Sequence, residues 1–163
     1  MSSIYLIGSL RNPRIPEIAK TLRVAGHEVF DDWYSVGPEC DEKWQEYEQN
    51  RGRKYAEALA GYHAKDVFEF DKHHLDRCEV GVLVLPAGKS AHLELGYIIG
   101  RGKRGYVLFD QEPERFDIMY QFAHGIAFDV AALLTMLPNK DGDWTDSFNN
   151  YKYRRIECNS SGK

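Results

Sequence analysis

The run VGVLVL, residues 80–85, limits the possible folds more than any other stretch of the chain. Apolar residues without polar alternation suit a strand covered on both faces, as the inner strands of a parallel sheet between helices are. The flanking segments fit that frame. SIYLIG (3–8) reads as a first strand, and between Pro13 and Gly26 the residues Ile15, Ile18, Ala19, Leu22 and Ala25 recur at helical spacing. HEVFDDW (27–33) resumes an extended run, so the chain opens with strand, helix, strand.

Further along, Trp44, Tyr47, Tyr55, Leu59 and Tyr62 recur at near-helical intervals over 41–64, interrupted by Gly52 and Gly61, which predicts a kinked helix. A short helix over 72–77 leads into the central strand. Ser90–Gly100 is helical in pattern, GYVLF (105–109) is a further strand, 116–123 a helix, IAFD (126–129) a short strand, and a last helix runs to Leu137. The expected fold is α/β: a single-domain parallel sheet of about five strands with helices on both faces, Rossmann-like or flavodoxin-like. The domain is expected to span 1–137. Residues 138–163, rich in Asn, Asp, Ser, Lys and Gly, are expected to form a polar C-terminal tail or a partner-wrapping arm.

A chain of 163 residues with 43% hydrophobic content supports one core of ordinary size. Its formal net charge of -4 disfavours a nucleic-acid polymer or an anionic membrane as the main partner. The opening MSSIYLIGSLRN has no basic start and no apolar run long enough for a signal peptide or a membrane span, so a cytoplasmic protein is expected. Cys40, Cys78 and Cys158 are widely spaced without a CxxC pair, which argues for reduced thiols and against a disulfide framework or a zinc site. His63, His73, His74, His92 and His124 lack metal-ligand spacing on a predicted helix; neither a metal nor another cofactor is expected.

The stretch PAGKSAHLELGYIIGRGK (86–103) holds two phosphate-binding look-alikes around one acid. A phosphate-cradling GKS loop needs a glycine five residues before its GK pair, and that position is Leu83, inside the strand. The GxGxxG of Gly100–Gly105 closes a helix and opens a strand, the reverse of the dinucleotide-binding order. Gly100 and Gly102 are therefore expected as left-handed helix-terminal residues, with Arg101, Lys103 and Arg104 answering the negative helix end. The acid, Glu94, has two open readings. With Ser90 as N-cap it lies in the first turn of a helix beyond the central strand, in the crevice where open α/β sheets bind ligands, and can act as nucleophile or base. First-turn acids also occur for the helix dipole alone.

YLIGSLRN near the start, an Asp well upstream of the central strand, and VLVLPAGKSAHLELGY resemble the nucleoside 2-deoxyribosyltransferase family and its nucleotide N-glycosidase relatives. The resemblance runs over roughly the first 137 residues, and LELGY with its preceding strand carries most of it. The GSLR loop is closer to the 2'-deoxynucleoside 5'-monophosphate hydrolase branch. The resemblance implies that Glu94 attacks the anomeric carbon, that Tyr5 hydrogen-bonds and positions that carboxylate, and that Asp71 assists protonation of the leaving base. It further implies a sugar-side loop of Gly8, Ser9, Leu10 and Arg11, with Arg11 suited to a 5'-phosphate, and Ser90 facing the 5' position.

Other readings stay open for several of these residues. Asp71 has a rival in Asp76 and could simply cap the short helix it precedes, and Tyr5 could be strand packing. Asp31, Asp32 and Trp33 point toward the same crevice and either contact a nucleobase or form a loop acid pair with a packed Trp. Lys89 and His92 either grip phosphate or are a solvated Lys and a partly buried His. Met119–Tyr120 is a core segment or a base-stacking one. The implied partners are a small-molecule nucleoside or nucleotide and a nucleobase, in a homo-oligomer (dimer or higher) whose contacts fall on the Trp44–Tyr62 segment and on Trp144, Phe148, Tyr151 and Tyr153. Transfer of deoxyribose between bases, hydrolysis of a deoxynucleoside monophosphate, and binding without turnover are the three functions that the residues leave open.

Overall fold

The parallel register of the central strands explains why the long apolar run stands where it does. In the computed structural model, which describes residues 1–138, β3 (Val80–Val84) is hydrogen-bonded on one side to β1 (Ser3–Ile7) and on the other to β4 (Arg104–Leu108). Every residue of β3 is buried. Two three-residue strands, β2 (Glu28–Phe30) and β5 (Gly125–Ala127), close the edges, giving five parallel strands in the order β2-β1-β3-β4-β5.

Side-chain alternation then assigns the helices to faces. Ile4, Leu6, Val82, Val84, Tyr106 and Leu108 point to a layer made by α1 (Ile15–Val24) and α6 (Val130–Met136). Tyr5, Ile7, Leu83, Val107 and Phe109 point to the opposite layer, made by α4 (Tyr62–Arg77) and α5 (Lys89–Gly100). The expected α/β architecture is the one observed, with helices on both faces. None of the helices among the described residues is long and apolar enough to cross a membrane.

Several local expectations are corrected. The expected 41–64 helix falls on three, α2 (Cys40–Asn50), α3 (Tyr55–Leu59) and the first turn of α4, because the chain turns at Gly52, whose φ of 73° ends α2 in the left-handed region, and breaks again at Gly61, the α4 N-cap. The helix expected over 72–77 starts ten residues earlier, at Tyr62. The helix expected over 116–123 is a 3-10 segment, Ile118–Phe122, begun by Asp117, whose carboxylate accepts from the Met119 N–H. Gly102 has the expected left-handed φ of 75°, whereas Gly100 is the last residue of α5 and not left-handed. Glu79 crosslinks strand starts: its carboxylate accepts from the Ser3 N–H at 3.3 Å, and its own N–H donates to Ser3 Oγ at 3.1 Å. The tail or arm expected over 138–163, with Trp144, Phe148, Tyr151, Tyr153 and Cys158, lies outside the described residues apart from Pro138.

Two glycines let α5 lie close on the sheet. A Cβ at Gly81 would meet Ile98 Cδ1 at 2.6 Å, and one at Gly105 would meet Ile99 Cγ1 at 2.7 Å and Leu95 Cδ1 at 2.8 Å. Overpacking a filled core forces side chains off their rotamers or pushes the helix away. Gly105→Ala is expected to lower the unfolding free energy by about 1–3 kcal/mol, measured by chemical denaturation; an unchanged midpoint would show that α5 yields without strain.

Candidate active site

The parallel sheet places the carboxyl ends of β1 and β3 side by side, so the loops that leave them meet. The β1–α1 loop is fastened to the β3–α5 loop by buried Asn12, whose Nδ2 donates to the carbonyls of Val84 and Pro86, both at 3.4 Å. Arg14 adds a 3.0 Å bond from Nη1 to the Leu85 carbonyl. Sequence reasoning missed both Asn12 and Arg14. An Asn placed just after a strand with Arg two residues on is the signal that was available, since a buried amide must find partners.

Behind this junction three expected residues come together from three elements. Tyr5 reaches from β1, Asp71 from α4 and Glu94 from α5. A pocket of about 350 Å³ between α4 and α5 is lined by Asp71 and Glu94 together with Phe68, Ser90, Leu93 and Tyr97. Tyr5 is fully buried and its hydroxyl hydrogen-bonds Asp71. Both acids act on the phenol: Glu94, the expected partner, through its charge, and Asp71 through its charge and a side-chain hydrogen bond.

Electrostatics couple the three groups. Burial, and then the Asp71 charge, push the Glu94 carboxyl up to about 8. Burial also raises Asp71, with the Tyr5 hydrogen bond opposing it. The Tyr5 phenol is raised by burial and by both carboxylates, so it stays protonated and can only donate to an anion. The unliganded pair thus keeps a proton at neutral pH, its two sites titrating as a unit.

Glu94 does not stand at the helix terminus where the sequence placed it. The α5 N-cap is Gly88, exposed Ser90 is already helical, and Glu94 belongs to the second turn. Its environment is governed by burial beside a second acid, not by a dipole. For Asp71 the capping alternative is removed, because it stands inside the sixteen-residue α4. Asp76, the rival, is paired with Lys72 at 2.6 Å, with the Tyr97 hydroxyl at 2.6 Å and with Arg101, which hold its carboxyl down at about 2. An acid so stabilised as its anion gives up no proton near neutrality.

The remaining expected residues divide. Gly8 is closed in, a Cβ there meeting Ile15 Cδ1 at 2.6 Å and the Trp33 ring at 3.5 Å. Ser9 Oγ accepts from the Arg11 N–H at 3.2 Å, Leu10 is half-buried, and the Arg11 guanidinium is paired with Glu42 at the start of α2. Trp33 is anchored, its indole N–H donating to the Leu6 carbonyl at 2.8 Å, whereas Asp32 is exposed and Asp31 is paired with Arg23. His92 is exposed, against the expectation of partial burial, and bridges the Gly88 carbonyl at 2.7 Å and the Tyr120 hydroxyl at 3.0 Å. Met119 is 57% exposed and not core, while Tyr120 packs edge-on against Phe109.

Sequence reasoning also missed an aromatic wall: Phe30 lies 5.1 Å from Tyr5 and stacks on His74 at 3.8 Å, with Phe70 alongside. A cleft of about 590 Å³ on the other flank of α5, lined by Leu95, Ile99, Met119 and Phe122 among others, holds neither Glu94 nor Asp71. Among the described residues no cluster of His, Cys, Asp or Glu could hold a metal ion.

A Glu94 pKa of about 8 in the fold against 4.5 in the unfolded chain means that unfolding releases a proton the fold retains. The stability contributed by protonated Glu94 is complete below pH 4.5 and is lost as the pH rises through 8. Glu94→Gln is always neutral, so its melting temperature should match wild type at pH 4 and exceed it by roughly 3–8 °C at pH 9. A difference independent of pH would mean that Glu94 is not buried beside a second acid.

No family model matches the chain, and no curated protein sequence does. Among solved structures, a 2-deoxyribosyltransferase from the psychrotolerant bacterium Bacillus psychrosaccharolyticus is similar over 82% of this chain and 90% of its own, at 18% identity and a TM-score of 0.55. A CMP N-glycosidase of Clostridium botulinum aligns over 81% and 95% at 14% identity, with a TM-score of 0.48. At these identities the first likeness speaks for the fold: the five-stranded architecture of this chain is one it has in common with a solved 2-deoxyribosyltransferase.

Proposed function

We propose that the chain is a nucleoside 2-deoxyribosyltransferase, cleaving the N-glycosidic bond of a 2'-deoxynucleoside and passing the sugar to another nucleobase. The observation that carries this reading is the half-buried Asp71–Glu94 pair lining one pocket, with buried Tyr5 at its back, on a fold shared with an enzyme of that activity. Glycosidic cleavage passes through an oxocarbenium-like state, which calls for an anion at the anomeric carbon and a proton for the departing base. Two carboxyls holding about one proton between them supply both.

In the proposed cycle a Glu94 carboxylate oxygen bonds to C1' as the C1'–N bond breaks, and the electron pair leaves with the base. Asp71 gives its proton to the base nitrogen, with Tyr5 steadying the carboxylate that forms. A second base loses a proton to Asp71 and attacks C1', and Glu94 departs as carboxylate. Before substrate arrives Glu94 is the higher of the pair, so the proton must shift to Asp71. Positive charge growing beside Glu94 and a basic ring nitrogen beside Asp71 both favour that shift. The loop Gly8–Arg11 and Ser90 would line the sugar, and Asp32 with Trp33 the base side. Arg11 supports a second reading, hydrolysis of a 2'-deoxynucleoside 5'-monophosphate, in which water takes the place of the second base.

Incubation with deoxynucleosides or their monophosphates, with and without a free base, separates the readings by product. Base exchange marks the transferase, free deoxyribose or its 5-phosphate the hydrolase, and ligand binding without turnover a nucleotide-sensing module. Glu94→Ala should lose about 10³-fold or more in kcat/KM, and a sugar adduct should map to the Glu94 peptide by mass spectrometry. Because the singly protonated pair is the active form, kcat/KM should fall as the pH passes about 8. An adduct on Asp71 would exchange the two roles.

A further inference from the structure

Between α4 and α5 the two acids border a pocket of about 350 Å³, so packing across the helices does not set their spacing at that level. The fastening lies about one helical turn further on in each helix. Tyr97, which shares the α5 face of Glu94 and lines the same pocket, donates its hydroxyl to Asp76 at 2.6 Å. Arg101 reaches the same carboxylate at 3.9 Å, and the Lys103 ammonium donates to the Leu75 and Asp76 carbonyls at 2.8 and 2.6 Å. All three cross from the C-terminal end of α5, or the residues just past it, to the last turn of α4. Of the three, Tyr97 also borders the pocket of the acids.

We infer that Tyr97 is a positioning residue for the acid pair, its hydroxyl bond to Asp76 setting how closely Glu94 approaches Asp71. This inference rests on the reading of that pair as the reacting one. A hydrogen bond to an anion is short and directional, so it fixes the two helices as the Arg101 pair, longer and with an arginine 59% exposed, does not. Without it α5 is free to shift on the sheet, which admits water to Glu94 and weakens its repulsion with Asp71. The titratable groups around Glu94 are Asp71 and Lys72, which line the pocket from α4, and Tyr5 on β1; Lys72 is itself held to Asp76 at 2.6 Å. Hydration and distance from Asp71 both favour the Glu94 anion, so its proton leaves at lower pH and less of the protein carries a shared proton at neutrality.

The test compares Tyr97→Phe, Asp76→Ala and Asp76→Asn, each with and without Glu94→Gln, by thermal unfolding across the pH range. In the otherwise unaltered chain the melting advantage of Glu94→Gln grows with pH and levels off at the Glu94 pKa of about 8. With Tyr97→Phe, which keeps the ring and removes the hydroxyl, and with Asp76→Ala, it should level off about 0.5–1 pH unit lower and reach a smaller final value. Asp76→Asn retains an oxygen for the Tyr97 hydroxyl and should level off where wild type does. In Tyr97→Phe, kcat/KM should fall about 5–20-fold, through kcat and not KM, with its alkaline limb displaced to the same lower pH. A melting temperature lowered equally at every pH, with the levelling-off unmoved, marks a bond that serves stability alone and overturns the inference, as does Asp76→Asn behaving like Asp76→Ala. If the levelling-off moves as expected while wild type turns over no nucleoside, the positioning role stands and the transferase reading falls. If wild type exchanges bases while the levelling-off stays in place, the transferase reading stands and the inference falls.

Discussion

Helix α5 lies as near the sheet as it does because the strand positions beneath it, Gly81 and Gly105, carry no side chain. That closeness makes Glu94 chemically unusual. A carboxyl one turn into a helix over an ordinary strand would sit higher, in reach of water, and titrate like any surface acid. Seated low, with Ala91, Leu95 and Ile98 of the same helix buried around it, Glu94 loses solvent and meets the acid on α4. The long apolar run of β3 provides the floor that this arrangement needs.

α4 makes the complementary point with two acids five residues apart. Asp76 is given a lysine, a tyrosine hydroxyl and an arginine, and is held as an anion. Asp71 is given a phenol and another carboxyl, and its affinity for a proton rises. The helix supplies the same backbone to both, so the difference comes from the side chains around each. Lys72 of α4 itself, with Tyr97 and Arg101 at the far end of α5, surrounds Asp76, and the buried face of β1 brings only Tyr5 to Asp71. An ion-paired acid and an uncompensated one are thus built within two turns of one helix. Fixing the first keeps α4 and α5 together, while the second is left without a countercharge.

The sheet was legible because the strands announce themselves twice, by apolar runs and by the helical periods between them. The edges and connections were harder. The 118–122 segment has the aromatic content of a helix, yet Asp117 closes a tight 3-10 turn there, and no periodicity reports the competition between the two. The long α4 was hidden because its face toward solvent carries Val67, Phe68 and Phe70, which blur the apolar stripe. Glu94, Asp71 and Tyr5 were found by their likeness to a motif, but their partners were not. That Tyr5 donates to Asp71, that Glu94 belongs to the second turn, and that Arg11 faces Glu42 all depend on how separate segments dock. Local spacing contains no such information.

Trp33 illustrates a last consequence of that docking. Its indole N–H is fixed to the Leu6 carbonyl and its ring edge rests 3.5 Å from where a Gly8 side chain would begin, so the fluorophore is rigidly held against the β1–α1 loop. Indole emission responds to the polarity and mobility of its surroundings. The chain therefore carries an intrinsic optical reporter against its β1–α1 loop, placed by the same packing that shapes the loop, and movement of that loop has a spectroscopic signature without any added label.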